Sequence, residues 1–177
     1  MSTMSALVVY ESSFGNTALV ARAVGDGIAE HMPVRVRSVT SLGDDETDGE
    51  DLVVVGGPTH AFGMSRPQTR HEAQERMGDR PTDYPGIREW IDRLDPDREG
   101  RLYATFDTRV EKVRHLPGSA AHAAARALRN EGHRVVDRGA SFYVADVEGP
   151  LLPHERDRAR QWGERLARRA LEMLQRA

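Results

Sequence analysis

Short apolar runs alternate with segments of helical periodicity along most of this chain. Four runs predict buried strands: Ala6 to Tyr10, PVRVRSV ending at Val39, DLVVVGG ending at Gly57 and RLYATF ending at Phe106. A fifth strand is split between residues 133–136 and the segment ASFYVADV. Strands that alternate with helices, and that are apolar on both faces, form parallel sheets covered by helices. The pattern therefore predicts an α/β fold with three layers, built on a doubly wound, open, five-stranded parallel sheet.

The helical segments carry apolar stripes at spacings of three and four. The first lies between the first two strands, with Leu19, Val20, Ala23, Val24, Gly27 and Ile28 on one face. Ser119 is a predicted cap of an alanine-rich helix that Gly132 ends. The last stripe consists of Ala159, Trp162, Leu166, Ala170 and Met173. Residues 68–98 are longer than a simple crossover and predict an elaborated connection, with REWIDRL and one further piece as helices.

Composition narrows the function classes. The 177 residues predict one domain spanning the whole chain, and the absence of cysteine excludes disulfides, iron-sulfur clusters and cysteine-ligated zinc. A net charge of -3 gives no general attraction to nucleic acid or anionic lipid. The apolar runs are too short to span a membrane, and MSTMS lacks the basic start of a secretory signal, so we expect a cytoplasmic protein. The acidic run at residues 44–51 is interpreted as a solvated loop.

The segment YESSFGNT, residues 10–17, directly follows the first apolar run. Ligands of doubly wound sheets bind beyond the carboxyl ends of the strands, so this turn is a candidate site. Its polar side chains are those of Ser12, Ser13, Asn16 and Thr17. Gly15 permits a tight turn, and a helix that begins at Asn16 or Thr17 directs free N–H groups at the loop. This predicts a phosphate site without a cation, although a turn that only caps a helix has the same pattern.

The binding free energy that this loop can supply limits which ligands it can hold by itself. A helix N-terminus stabilises an anion by roughly 0.3 to 2 kcal/mol, and each hydrogen bond to a charged group contributes about 1.5 to 3 kcal/mol. Nanomolar binding requires about 12 kcal/mol. A tightly bound ligand must therefore carry a second, flat or apolar group.

The sequence lacks the motifs of several other common binding and catalytic sites. No GxxxxGK[ST] or GxGxxG motif occurs, and the glycines Gly25 and Gly27 lie inside the first helix, where we expect them to serve packing. The seven histidines show neither HxxxH nor HExxH spacing, so no metal site is predicted. There is no GxSxG motif for a serine nucleophile, and no catalytic protein side chain is predicted.

Two further loops are predicted at the same sheet edge. GGPTHAFGMSRP follows the third strand and FDTRVEKVRHLPG follows the fourth. Thr59 and Thr108 supply hydroxyl groups, while His60 and Phe62 supply flat surfaces that can clamp a planar ring. Basic residues follow both loops, namely Arg66, Arg70, His71, Arg109, Lys112, Arg114 and His115. They predict a basic rim that attracts an anionic substrate or an acidic partner, unless they form only a solvated surface.

These motifs resemble the flavodoxin family, whose phosphate loop reads roughly [ST]-x-T-G-N-T and whose second loop often begins G-[ST]-P-T. The resemblance rests on Ser12, Gly15, Asn16 and Thr17, on the GPT of residues 57–59 and on GASFYVADVEGPL as an interrupted last strand. It implies the strand order 2-1-3-4-5 and bound FMN. The phosphate positions implied are Ser12, Ser13, Phe14, Gly15, Asn16 and Thr17. The ring positions implied are Pro58, Thr59, His60, Ala61, Phe62, Gly63, Asp107, Thr108 and Arg109.

The chain departs from the family at identifiable points. Phe14 stands where threonine is common, both loops lack the stacking Trp or Tyr, and the net charge is only mildly acidic. The first hypothesis is an FMN redox protein, either a carrier for a redox partner protein or a small NAD(P)H-dependent reductase of quinone-like acceptors. The second is a binding or regulatory module of the same fold that has lost its flavin.

Overall fold

The computed structural model describes residues 3–43, 49–95 and 100–176. Most of the acidic run, residues 44–48, lies outside the described residues. The interpretation of that run as a solvated loop therefore stays a prediction.

The strands form one parallel sheet. They are β1 (Ala6–Tyr10), β2 (Val34–Ser38), β3 (Leu52–Pro58), β4 (Leu102–Val110), β5 (Arg134–Val135) and β6 (Ala140–Val144). The order is β2-β1-β3-β4-β5, and β6 also pairs with β4. Leu102 pairs with Arg134 and Phe106 with Ala140, so β5 and β6 lie end to end along one edge of β4. The predicted order and the split last strand are confirmed.

The helices cover both faces of this sheet. They are α1 (Asn16–Ala29), α2 (Pro67–Arg76), α3 (Ile87–Asp92), α4 (Ala120–Asn130) and α5 (Glu155–Gln175). One apolar core joins α1 and α5 to the sheet and includes Val24, Trp162 and Leu166. A second core joins α3 and α4 to the opposite face and includes Ile87 and Leu128. Alternate residues of β1, β3 and β4 supply these two cores, which confirms the three-layer prediction.

Glycines allow α1 and α5 to approach closely. A Cβ at Gly27 would collide with the backbone oxygen of Arg160, and a Cβ at Gly163 would collide with that of Val24. A Cβ at Gly25 would lie 2.5 Å from Cγ2 of Val36. The predicted packing role of Gly25 and Gly27 is confirmed.

The predicted end of the fourth strand was wrong. β4 continues past Phe106 to Val110 because Thr108 pairs with Pro58 of β3 and Val110 pairs with Val144 of β6. The second strand ends at Ser38, with Val39 opening a short 3-10 turn, and Pro58 belongs to β3. Four predicted ligand positions, Pro58, Asp107, Thr108 and Arg109, therefore lie on strands and not in loops.

The connection between β3 and β4 contains α2 and α3, as its length predicted. Ser119 caps α4 by accepting a hydrogen bond from the His122 amide, which confirms the predicted cap. Within the described ranges, no helix is both long and apolar enough to cross a membrane.

Candidate functional site

The loop between β1 and α1 forms a concave set of backbone N–H groups. Gly15 caps α1 with a φ of 91°, in the left-handed region, and no atom lies within 4 Å of where its Cβ would be. Ser12 Oγ accepts a hydrogen bond from the Ala18 amide at 3.3 Å. Among the described residues, the amides of Phe14, Asn16 and Thr17 donate to no other group. The loop thus presents free donors at the positive end of a helix.

Two predicted phosphate ligands also hold the loop in place. Thr17 Oγ1 lies 2.7 Å from Thr108 Oγ1, and both residues are buried. Asn16 Nδ2 donates to the backbone oxygen of Glu148 at 3.1 Å. The two threonine hydroxyls carry two hydrogens, and their mutual bond uses one. The other remains available for a ligand.

Ser13 is the remaining polar side chain of the loop. Its Oγ is buried and, within the part of the chain that the structure describes, has no hydrogen-bond partner. The Tyr84 hydroxyl is a neighbour of Ser13, although their geometry does not meet that of an ordinary hydrogen bond. An unpartnered buried hydroxyl costs free energy, so this atom marks a place for a missing partner.

A cavity of about 70 Å³ lies beside the loop. Its lining comprises Ser13, Phe14, Asn16, Thr17, Pro58, Thr59, His60, Thr108, Arg109, Val110, Val144 and Val147. A space of this size suits a compact group such as a phosphate rather than a tricyclic ring. Val110, Val144 and Val147 were not among the predicted site residues. For Val144 and Val147, the signal in the sequence was the segment YVADV, which spans the end of the last strand and the residues after it.

Thr59 and Asp107 connect the second loop to the start of α4. Thr59 Oγ1 donates to Asp107 Oδ2 at 3.1 Å and accepts from the Ala120 amide at 2.9 Å. Asp107 Oδ2 also accepts from the Ala121 amide at 2.9 Å. A carboxylate at a helix N-terminus is favourable. Asp107 is fully buried: its Oδ2 fixes the loop to α4, and its Oδ1 has no hydrogen-bond partner among the described residues.

His60 lies at the turn of the second loop. Its backbone N–H donates to the Gly63 oxygen at 2.9 Å and its oxygen accepts from the Gly63 amide at 3.0 Å. Ala61 and Phe62 between them have φ values of 45° and 66°, both in the left-handed region. Burial lowers the pKa of the His60 imidazole, and the Arg70 charge lowers that pKa further. The imidazole is therefore neutral at pH 7.

The predicted ring clamp is only partly assembled. His60 lines the cavity, whereas Phe62 does not, and the Phe62 side chain is 55% exposed. The Phe62 backbone touches the loop after β4, since a Cβ at Gly118 would lie 2.5 Å from the Phe62 oxygen. Ala61 and Gly63 line a neighbouring cavity instead. The second loop and the loop after β4 thus meet at this point.

Two residues predicted for the basic rim are buried, so this part of the prediction was wrong. Arg109 Nη2 donates to the backbone oxygens of Val113 and Leu116 at 2.9 and 3.1 Å, which folds the loop after β4 over its guanidinium. Arg70 is 2% exposed, and its guanidinium donates to Ser65 and Glu89. Each side chain is held by nearby polar groups that the linear sequence does not reveal. Arg66, Lys112, Arg114 and His115 are exposed, as predicted.

Glu11 organises a buried polar network that sequence reasoning missed. Its carboxylate accepts from Ser65 Oγ and, at 2.9 Å, from the Ile87 amide. Arg70 Nη1 donates to Ser65 Oγ at 2.9 Å and Nη2 donates to Glu89 at 3.1 Å. Burial raises the pKa of the Glu11 carboxyl. A glutamate directly after an apolar strand was the signal, and the network joins the first loop to the second loop, α2 and α3.

Comparison with known proteins identifies the architecture. No family model and no curated protein matches the chain. A flavodoxin from the domain Archaea is 22% identical, with a TM-score of 0.65 and coverage of 95% of this chain and 99% of that one. A flavodoxin, WrbA-like protein from Agrobacterium tumefaciens is 16% identical, with a TM-score of 0.62 and coverage of 97% and 99%. A Streptococcus pneumonia TIGR4 flavodoxin is 17% identical, with a TM-score of 0.63 and coverage of 94% and 99%. The fold that the sequence resemblance implied is confirmed: this chain has the flavodoxin-like fold.

Proposed function

We propose that this chain binds FMN without a covalent bond and transfers electrons through it. The observation that carries the proposal is the loop at residues 12–17, with free amides at the start of α1 and the unpartnered Ser13 Oγ. These groups are hydrogen-bond donors, and a phosphate offers several acceptor oxygens. Neutral donors at a helix N-terminus suit a phosphate that is recognised by geometry.

The donor set fits the phosphate of FMN. The amides of Phe14, Asn16 and Thr17, the Ser13 hydroxyl and the free hydrogen of the Thr17–Thr108 pair would hold it. The cavity of about 70 Å³ has the size of such a group and lacks room for the flavin ring. The ring would therefore have to bind outside this space.

The side chains around the cavity suit an aromatic ring. Pro58, His60, Val110, Val144 and Val147 offer apolar or flat surfaces beside the phosphate position. Bound FMN supplies one- or two-electron redox chemistry. The protein contributes binding, exclusion of water and the neutral imidazole of His60. The electron acceptor would be a redox partner protein or a small quinone-like molecule.

A binding or regulatory module without flavin is the second candidate. It is favoured by the contact between Phe62 and Gly118, which joins the two loops that family resemblance places on either side of the ring. The exposure of Phe62 favours it as well, because among the described residues the aromatic side chains that line the cavity are only those of Phe14 and His60, and no Trp or Tyr lines it.

Titration of the flavin-free protein with FMN and with riboflavin separates the two candidates. Quenching of flavin fluorescence and a shift of the visible absorption report binding. We expect FMN to bind at least about a hundred-fold more tightly than riboflavin, because two hydrogen bonds to a charged phosphate contribute about 3 to 6 kcal/mol. A protein that binds neither flavin contradicts the proposal and supports the regulatory module.

A further inference from the structure

A second cavity also borders His60. Its volume is about 400 Å³, within the range of about 300 to 1,000 Å³ that small-molecule sites occupy. Its lining comprises His60, Ala61, Gly63, Met64, Arg66, Gln68, Thr69, Glu72 and Arg88. The 70 Å³ cavity at the first loop also includes His60. One imidazole therefore forms part of the wall of both spaces.

The guanidinium groups of Arg66 and Arg88 give this cavity a net positive charge. Among the described residues, neither Arg66 nor Arg88 forms an ion pair, in contrast to Arg70. The cavity also contains the carboxylate of Glu72, which accepts a hydrogen bond from Gln68 at 3.2 Å and is exposed. Two cations against one exposed anion favour a ligand that carries negative charge.

Arg88 is held in a fixed position. Its Nε donates to the Ser65 oxygen at 3.3 Å and its Nη2 donates to the Met64 oxygen at 3.0 Å. These bonds to the second loop already restrict the side chain, so it loses less conformational entropy when a ligand binds. A guanidinium carries five N–H donors, so others remain for an anionic group. Preorganised donors of this kind bind anions with less entropic cost.

His60 has a free ring nitrogen in this region. Thr69 Oγ1 accepts from the Arg66 amide at 2.9 Å and lies 3.1 Å from both the Arg66 oxygen and His60 Nδ1. Among the described residues, His60 Nε2 has no partner, so this nitrogen is available for a hydrogen bond to a ligand.

We infer that the second cavity is the binding site for the anionic group of a small molecule that meets the flavin site at His60. Arg66 and Arg88 bind the negative group, and the free ring nitrogen of His60 forms a hydrogen bond to the same molecule. This inference rests on the proposed FMN site for its biological role. The anionic group belongs either to an acidic electron acceptor or to a phosphorylated nicotinamide dinucleotide.

Calorimetric titration of the flavin-free, full-length protein tests the site directly. The probes are 1,4-naphthoquinone-2-sulfonate against neutral 2-methyl-1,4-naphthoquinone, and NADPH against NADH. In at least one of the two pairs, we expect the more negative molecule to bind about ten-fold more tightly than the other member of its pair. Arg66→Gln and Arg88→Gln should each reduce that affinity about ten-fold, since each removes hydrogen bonds to a charged group. Arg76→Gln, on α2 but outside both cavities, is the control.

The two pairs identify the source of the anion. Preference for the sulfonate assigns an acidic acceptor, and preference for NADPH assigns a nicotinamide phosphate. Arg88→Gln removes bonds to the second loop, so its melting temperature is measured as well. Arg66 is exposed, and Arg66→Gln tests the site without that complication. Loss of preference in Arg66→Gln but not in Arg76→Gln supports the inference.

The inference and the proposed function fail separately. If FMN binds but neither probe pair shows a preference that depends on Arg66 or Arg88, the inference is overturned and the FMN proposal stands. If FMN does not bind but the preference exists and depends on these arginines, the anion site stands without its redox role. FMN affinity should be unchanged in Arg66→Gln, because Arg66 does not line the cavity at the first loop.

Discussion

Thr17 Oγ1 and Thr108 Oγ1 lie 2.7 Å apart in the interior of the protein, where they join the start of α1 to the end of β4. The two residues are 91 positions apart in the sequence. Their hydrogen bond fixes the first loop against the sheet, and both side chains line the cavity that we propose for the FMN phosphate. Stability and ligand binding are therefore coupled at this pair.

Replacement of either threonine by valine should destabilise the fold. Thr17→Val or Thr108→Val leaves the other buried hydroxyl without its partner, so we expect the free energy of unfolding to fall by about 1 to 3 kcal/mol. The double variant should lose less than the sum of the two, because no orphaned hydroxyl remains. Urea denaturation of the wild type, the two single variants and the double variant measures these free energies of unfolding. Strict additivity of the two losses would show that the hydroxyls do not interact.

The left-handed conformation of Gly15 should be essential for the loop. A Cβ at this position meets no atom within 4 Å, so Gly15→Ala adds backbone strain without a collision. We expect a loss of about 1 to 2 kcal/mol in stability and weaker FMN binding, because the free amides shift. Gly43→Ala is the matched control, since Gly43 also has open space around its Cβ position but lacks a positive φ. Equal behaviour of the two variants in urea denaturation would contradict the role assigned to Gly15.

Glu11 should make stability depend on pH. Burial raises the pKa of its carboxyl above the ordinary value of 4.5, so the folded state favours the protonated form. The contribution to stability is fully present below the pKa of the unfolded chain and is lost as pH rises through the higher folded value. Glu11→Gln lacks this titration. The stability of the wild type relative to Glu11→Gln should therefore decrease from pH 4 towards neutral pH, as measured by urea denaturation at several pH values. A constant difference would argue against a raised pKa.

His60 should make stability depend on pH in the direction opposite to that of Glu11. Burial lowers the pKa of its imidazole below 6.5, so its contribution to stability is present above that value and is lost as pH falls towards the folded pKa. NMR titration of the imidazole should give a pKa below 6.5. The wild type should lose stability relative to His60→Asn between pH 7 and pH 5. A pKa at or above 6.5 would show that the ring is not desolvated.

The local features of this fold could be predicted from the amino-acid sequence. Apolar runs and helical stripes are properties of neighbouring residues, so they predicted the layers, most strand positions, the capping Ser119 and the packing glycines Gly25 and Gly27. Gly15 followed by Asn16 at the end of an apolar run likewise placed the first turn and the start of α1.

Tertiary structure alone decided which side chains face the site. β4 runs on to Val110 because β3 and β6 pair with it, and this extension places Thr108 beside Thr17. Arg70 became a buried partner of Ser65 and Glu89, although its position after the second loop suggested an exposed rim. Such outcomes depend on strand pairing and hydrogen bonds between residues far apart in the chain. Periodicity reports only which face of an element is apolar, and it carries no information on which distant polar group will satisfy a buried charge.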